Sequence, residues 1–79
     1  MALSKEERLT KLHKLAEIEG YETVSDMLEA TTCDAVSPAI CVAEDCDYTV
    51  EMEPDQDQGW CDQCHRNTVV AALVLAELI

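Results

Sequence analysis

The chain has no phenylalanine, and its aromatic content is only 4%, from Tyr21, Tyr48 and Trp60. Large rings that fill a core are therefore scarce. Its 79 residues make one domain, read as a helical part (1–31), a cysteine-bearing part (38–66) and an apolar C-terminal segment (67–79). A domain this small buries only about 60–65% of its unfolded surface, so a hydrophobic core alone is marginal and a staple is expected. No apolar run is long enough to span a bilayer: the longest, Val69 to Ala76, falls far below the roughly 18 residues required. The opening "MALSKEERLTKLHK" lacks the apolar stretch and small-residue cleavage site of a signal peptide. A cytoplasmic protein is expected, in a compartment where thiols stay reduced.

Between Leu15 and His65 there is no lysine or arginine, against fourteen acids. The formal net charge is −12. Four of the five basic residues, Lys5, Arg8, Lys11 and Lys14, fall in the first fourteen positions. A surface so negative repels phosphate backbones. The basic stripe of the first helix is the exception, and it is expected to pair with Glu17, Glu19 or a neighbouring segment rather than with nucleic acid.

What the chain does have is cysteine, five in all. "GWCDQCHRN" admits three chemistries: c-type haem attachment, a redox dithiol, or half of a zinc site. Haem attachment requires export and an axial partner, for which only Met27, Met52 and His13 are at hand. A redox pair wants its first cysteine at a helix N-terminus following a strand. A helix after Cys64 would help that reading, but Asp62 and the seven acids from Glu44 to Asp57 are expected to raise a thiol pKa. Zinc is favoured because a second pair exists. Cys41 and Cys46 enclose four residues, fourteen follow, and Cys61 and Cys64 enclose two. Short loops of this kind let paired sulfurs converge on one ion, and four protein ligands leave no open position, which makes one structural Zn²⁺. Four thiolates and one Zn²⁺ add four negative and two positive charges, taking the net from −12 to about −14. Cys33 is read as a small, semi-buried residue of a linker, and His65 as a residue of the second cysteine loop.

Ser4 and Glu7 form a capping-box signature. They open a helix expected to bury Leu9, Leu12, Leu15, Ala16 and Ile18, with Gly20 as its stop. Thr23 and Asp26 start a second helix to about Ala30, burying Val24, Met27 and Leu28. After a linker from Thr31 to Pro38, "DYTVEME" alternates like a half-exposed strand. "PDQDQG" reads as its turn and "WC" as the returning strand, giving one hairpin with a cysteine pair near each open end. The tail "NTVVAALVLAELI" reads as an apolar helix, with a strand as the alternative. It needs burial against the rest of the chain or against a second copy, which makes a homodimer possible.

The expected class is thus small α+β: a helical hairpin, a β-hairpin bearing zinc, and a C-terminal helix. The two cysteine pairs resemble a zinc ribbon, although the usual Cys-Pro-x-Cys-Gly loops are not kept and His65 stands where Gly is customary. "CDYTVEMEPDQDQGWCDQCHRNTVVAALVLAELI" is similar to short uncharacterised proteins of proteobacterial and bacteriophage genomes, over roughly Pro38 to Ile79. That family implies no activity; it supports the metal and suggests a phage setting.

No nucleophile, base and orienting group stand together in the pattern, so an enzyme is not expected. The function expected is a non-catalytic interaction protein. Its acidic face, Glu44, Asp45, Asp47, Glu51, Glu53, Asp55 and Asp57, would meet a basic protein partner. In the sharper form this face imitates nucleic acid and inhibits a nucleic-acid-binding protein. In the plainer form it keeps the chain soluble. A thiol redox protein using Cys61 and Cys64, and a zinc ribbon that binds nucleic acid, are the rivals.

Overall fold

The computed structural model describes residues 4–32 and 35–78; the expectation for Cys33 lies outside them. In chain order the elements are α1 (Lys5–Glu19), α2 (Val24–Thr32), β1 (Ser37–Cys41), β2 (Thr49–Met52), β3 (Gly59–Cys61), β4 (Arg66–Ala71) and α3 (Ala72–Leu75). The class is α+β, with the two longer helices preceding a four-stranded sheet of order β2-β1-β4-β3.

Helix α1 starts where its cap dictates. The Ser4 hydroxyl accepts the Glu7 N–H at 3.1 Å, and the Glu7 carboxylate accepts the Ser4 N–H at 3.1 Å. It stops at Gly20, whose φ of 84° is natural only for glycine, and the Tyr21 N–H closes on the Ala16 carbonyl at 2.9 Å. The buried stripe differs from the expected one. Leu12, Leu15 and Ala16 are buried, but Leu9 and Ile18 are exposed, and Lys11 is buried in their stead. Helix α2 is opened by the Thr23 hydroxyl, which accepts the Asp26 N–H at 3.0 Å. It buries Met27 fully and Val24 and Leu28 in part.

The strands correct two expectations. First, "PDQDQG" does not turn a hairpin. β2 pairs antiparallel with β1, from Ser37 opposite Met52 to Ile40 opposite Thr49, and β3 pairs antiparallel with β4. Residues 53–58 therefore connect one edge strand of the sheet to the other, and the Ala71 N–H donates to the Gln56 carbonyl at 3.0 Å. Alternation marks a strand but does not name its partner. The true partner of β2, the all-buried β1, shows no alternation because both its faces are covered. Second, the tail is not one helix over its described residues, 67–78. Arg66–Ala71 is a strand, and only Ala72–Leu75 is helical. The β-branched run Thr68, Val69, Val70 favours the extended chain, and a strand lying between two others is apolar on both faces.

Apolar residues segregate to the two faces of the sheet. Ile40 and Val42 join Leu12, Leu15, Met27 and Leu75 on the helical side. Ala39 and Cys41 join Cys46, Cys61, Val69 and Ala71 on the other. The sheet curls, and Gly59 on β3 permits it: a Cβ there would collide with the Met52 side chain of β2 and sit 3.2 Å from the Val69 Cβ. Within the C-terminal segment, Val69, Ala71, Ala72, Leu73 and Leu75 are buried by the chain itself, while Leu78 is exposed.

Candidate metal centre

Each cysteine pair occupies the turn of its own hairpin. This replaces the expected single hairpin with pairs at its open ends. β1 runs into Cys41, whose N–H donates to the Tyr48 carbonyl at 2.9 Å; the loop then turns through Cys46, whose N–H reaches the Ala43 carbonyl at 3.1 Å. β3 runs into Cys61, and the chain returns to β4 through a turn closed by the His65 N–H on the Cys61 carbonyl at 2.8 Å. His65 has φ 55°, the left-handed conformation in which a glycine would be free of strain. Pairing of β1 with β4 sets the two turns side by side.

The four sulfurs of Cys41, Cys46, Cys61 and Cys64 all lie within 4.8 Å of one another. Cys46 and Cys61 are 3.6 Å apart and Cys41 and Cys64 3.8 Å, with all four free of disulfides. A tetrahedron of sulfurs about 2.3 Å from a zinc ion has edges of about 3.8 Å. The donor set fits a thiophilic ion in both chemistry and size, and the four could hold a metal. Among the described residues, no other group of three or more potential ligands converges in this way.

The surroundings shift two of the thiols in opposite directions. Burial opposes ionisation of Cys61, yet the backbone N–H groups of Cys64 and Gln63, with the Cys46 and Cys41 thiols, outweigh it and bring the thiol down to about 7. The Cys64 N–H lies 3.3 Å from that sulfur. The raised thiol expected here from Asp62 and its acidic neighbours is thus corrected, because donors at contact distance outweigh exposed, solvated carboxylates. Cys46 goes the other way. The Tyr48 backbone N–H favours its thiolate, but burial and the hydrogen bonds with Cys61, Cys64 and Cys41 push it up to about 12. The two sulfurs share one hydrogen-bonded cluster, so ionising Cys61 first keeps a proton on Cys46. The element directly after Cys64 is the strand β4, so neither cysteine of this pair sits at a helix N-terminus whose dipole a redox dithiol would use.

Two contributors lie far from the cysteines in sequence. The Lys11 ammonium, on α1, donates to the carbonyls of Ala43, at 2.7 Å, and of Cys46. The Thr68 hydroxyl, on β4, lies 3.0 Å from the Cys41 sulfur. Sequence reading missed both. Lys11 is expected from sequence to pair with an acid of its own helix or a neighbouring segment, not to bind the carbonyls of a cysteine loop, and Thr68 to lie at the start of a helix; only the tertiary fold reveals either role. A third link joins the two turns: the Tyr48 hydroxyl donates to Asp62 at 3.0 Å, a bond that, with burial, raises the phenol above its usual range.

All seven residues of the expected acidic face are exposed. They are spread over the first cysteine loop (Glu44, Asp45, Asp47), β2 (Glu51) and the connection 53–58 (Glu53, Asp55, Asp57). Asp47 faces Lys11 and Lys14 at 3.8 and 3.9 Å. Arg8 donates to the Val74 and Leu75 carbonyls, both at 3.2 Å, and its Nε lies 3.6 Å from Glu77. Three of the four cations of the first helix are thus engaged within the chain. No helix among the described residues is long and apolar enough to cross a membrane. No protein family, curated protein or solved structure matches the chain.

Proposed function

We propose that the chain is a non-catalytic, cytoplasmic interaction protein whose fold is locked by one structural Zn²⁺ held by Cys41, Cys46, Cys61 and Cys64. The convergence of four sulfurs within 4.8 Å carries this reading. With no fifth ligand position left open, such an ion shapes the chain and does no chemistry. Two cysteine-bearing hairpin turns that face each other are the arrangement of a zinc ribbon, which the departures from its usual loop sequences do not prevent. Native mass spectrometry of untreated protein, with and without EDTA, tests it. One zinc per chain is expected, lost with unfolding on chelation; a metal-free, fully folded protein would sink the proposal.

The partner proposed is a basic protein surface. The exposed acids support it, and the internal engagement of Arg8, Lys11 and Lys14 argues against direct contact with nucleic acid. In its sharper form the acidic surface imitates a nucleic-acid backbone and blocks a nucleic-acid-binding protein, in the manner of a phage-type inhibitor. A pull-down separates this from simple solubility: the mimic requires a basic partner released by salt and competed off by DNA. Chelator-induced unfolding, together with no dithiol reductase activity in the untreated protein, would reject the redox rival.

A further inference from the structure

We propose that Thr68 is a positioning residue for the metal, donating its hydroxyl hydrogen to the Cys41 sulfur and thereby setting how tightly the cluster holds its ion. The inference rests on the four-cysteine metal reading and extends it to a residue outside the ligand set.

The geometry begins in a strand irregularity. Gly59 faces Val69 and Trp60 faces Asn67, so β4 has one residue more than β3 over this stretch, and that residue is Thr68. A bulge of this kind re-aims a side chain. Here the hydroxyl arrives 3.0 Å from the Cys41 sulfur, while the Thr68 carbonyl accepts the Val42 N–H at 2.9 Å and fixes the backbone next to that cysteine. Thr68 is buried, with 6% of its surface exposed, so water competes little for the hydroxyl. In the free thiol either atom could donate. A metal-bound sulfur has no proton, so the hydroxyl must then be the donor.

A hydroxyl hydrogen directed at a thiolate withdraws charge from it. Cys46 and Cys61 have backbone N–H donors for this purpose. Among the described residues the Cys41 sulfur has the Cys64 sulfur and the Thr68 hydroxyl as its hydrogen-bond partners and no backbone N–H, so Thr68 supplies the donor from the neighbouring strand. Outer partners of this kind fix the orientation of a ligand, and their loss typically costs about 10–100-fold in metal affinity.

Anaerobic titration with Co²⁺, then competition with Zn²⁺, on the unsubstituted chain, Thr68→Val and Thr68→Ser tests this. Valine keeps the shape and removes the donor; serine keeps the donor. Thr68→Val is expected to lose about 10–100-fold in affinity for both ions, and its sulfur-to-cobalt charge-transfer band moves to lower energy because the Cys41 sulfur is more electron-rich. Thr68→Ser restores both. Should Thr68→Val not fold, Thr68→Ala provides the same comparison. If the unsubstituted chain gives no tetrahedral tetrathiolate spectrum, the metal reading falls and this inference with it. If that spectrum forms, yet Thr68→Val has unchanged affinity and an unmoved band, this inference alone is overturned.

Discussion

Lys11 and Cys46 are joined across 35 positions of sequence by a buried hydrogen bond from the lysine ammonium to the cysteine carbonyl. The same ammonium donates to Ala43 and lies 3.8 Å from Asp47. With only 8% of its surface exposed, Lys11 ties α1 to the first cysteine loop through a charge placed where a leucine would otherwise be expected.

Replacing Lys11 by methionine keeps the apolar stem and strips two carbonyls of a charged donor. Hydrogen bonds to charged groups contribute about 1.5–3 kcal/mol, so the variant should lose about 2 kcal/mol of stability. Lys14→Met, at an exposed pair, should lose under about 0.5 kcal/mol. Urea unfolding of both variants checks the contrast, and equal, small losses would show that the buried ammonium contributes little.

Removing the ion should unfold the cysteine half. Structural zinc contributes about 10–16 kcal/mol of apparent binding energy at neutral pH, as much as or more than the roughly 4–12 kcal/mol of stability a domain of this size holds. Cys46→Ser should therefore resemble EDTA treatment, with loss of the cooperative thermal transition in circular dichroism. A variant that melts like the untreated protein would contradict the four-ligand site.

His65 sits at φ 55°, a conformation that costs a non-glycine residue about 1–2 kcal/mol. Its ring also meets Trp60 edge-on at 6.3 Å, a contact worth about 0.5–1.5 kcal/mol. His65→Gly removes both and should leave stability within about 0.5 kcal/mol of the original, on the favourable side. His65→Val, which keeps the strain and loses the ring, should cost more than about 1 kcal/mol. Thermal unfolding of the zinc-loaded variants reads the order, and a valine variant as stable as the glycine one would remove the strain from the account.

Zinc affinity should climb with pH, because each proton displaced from a ligand contributes up to about tenfold per pH unit. The metal-free cysteine half is expected to be unfolded, so its thiols release their protons on binding at any pH below their ordinary value of about 8.5. In the folded chain the backbone donors to Cys61, which outweigh its burial and bring the thiol down to about 7, favour the thiolate that the ion requires. The slope should therefore be steep below about pH 8.5 and flatten above it. Chelator competition at several pH values measures this, and a slope that steepens as pH rises through about 8.5 would contradict binding through thiolates.

How much of this was readable beforehand depends on how local each signal is. Ser4, Glu7 and Gly20 bounded α1 because caps act within a few residues. The cysteine quartet was visible in spacing alone. Strand pairing was not: β2 was recognisable from Thr49 to Met52, but its neighbour Ser37–Cys41 is buried on both faces and resembles a linker. The tail failed for a related reason, since a buried strand and a buried helix are equally apolar and periodicity cannot separate them. Lys11 and Thr68 depend wholly on long-range packing. Each also violates a composition rule, a buried ammonium and a polar group in a core strand, at the place where the candidate centre needs it.

The bond from Ala71 to Gln56 has an effect on any encounter with another molecule. It anchors the midpoint of the segment bearing Glu53, Asp55 and Asp57 to β4, next to that strand's junction with α3. Those carboxylates hang from a backbone already ordered by folding, so docking would require little additional loss of conformational freedom there. A free hexapeptide of the same sequence would present the same charges with none of that preorganisation, and would be a far weaker competitor for the same surface.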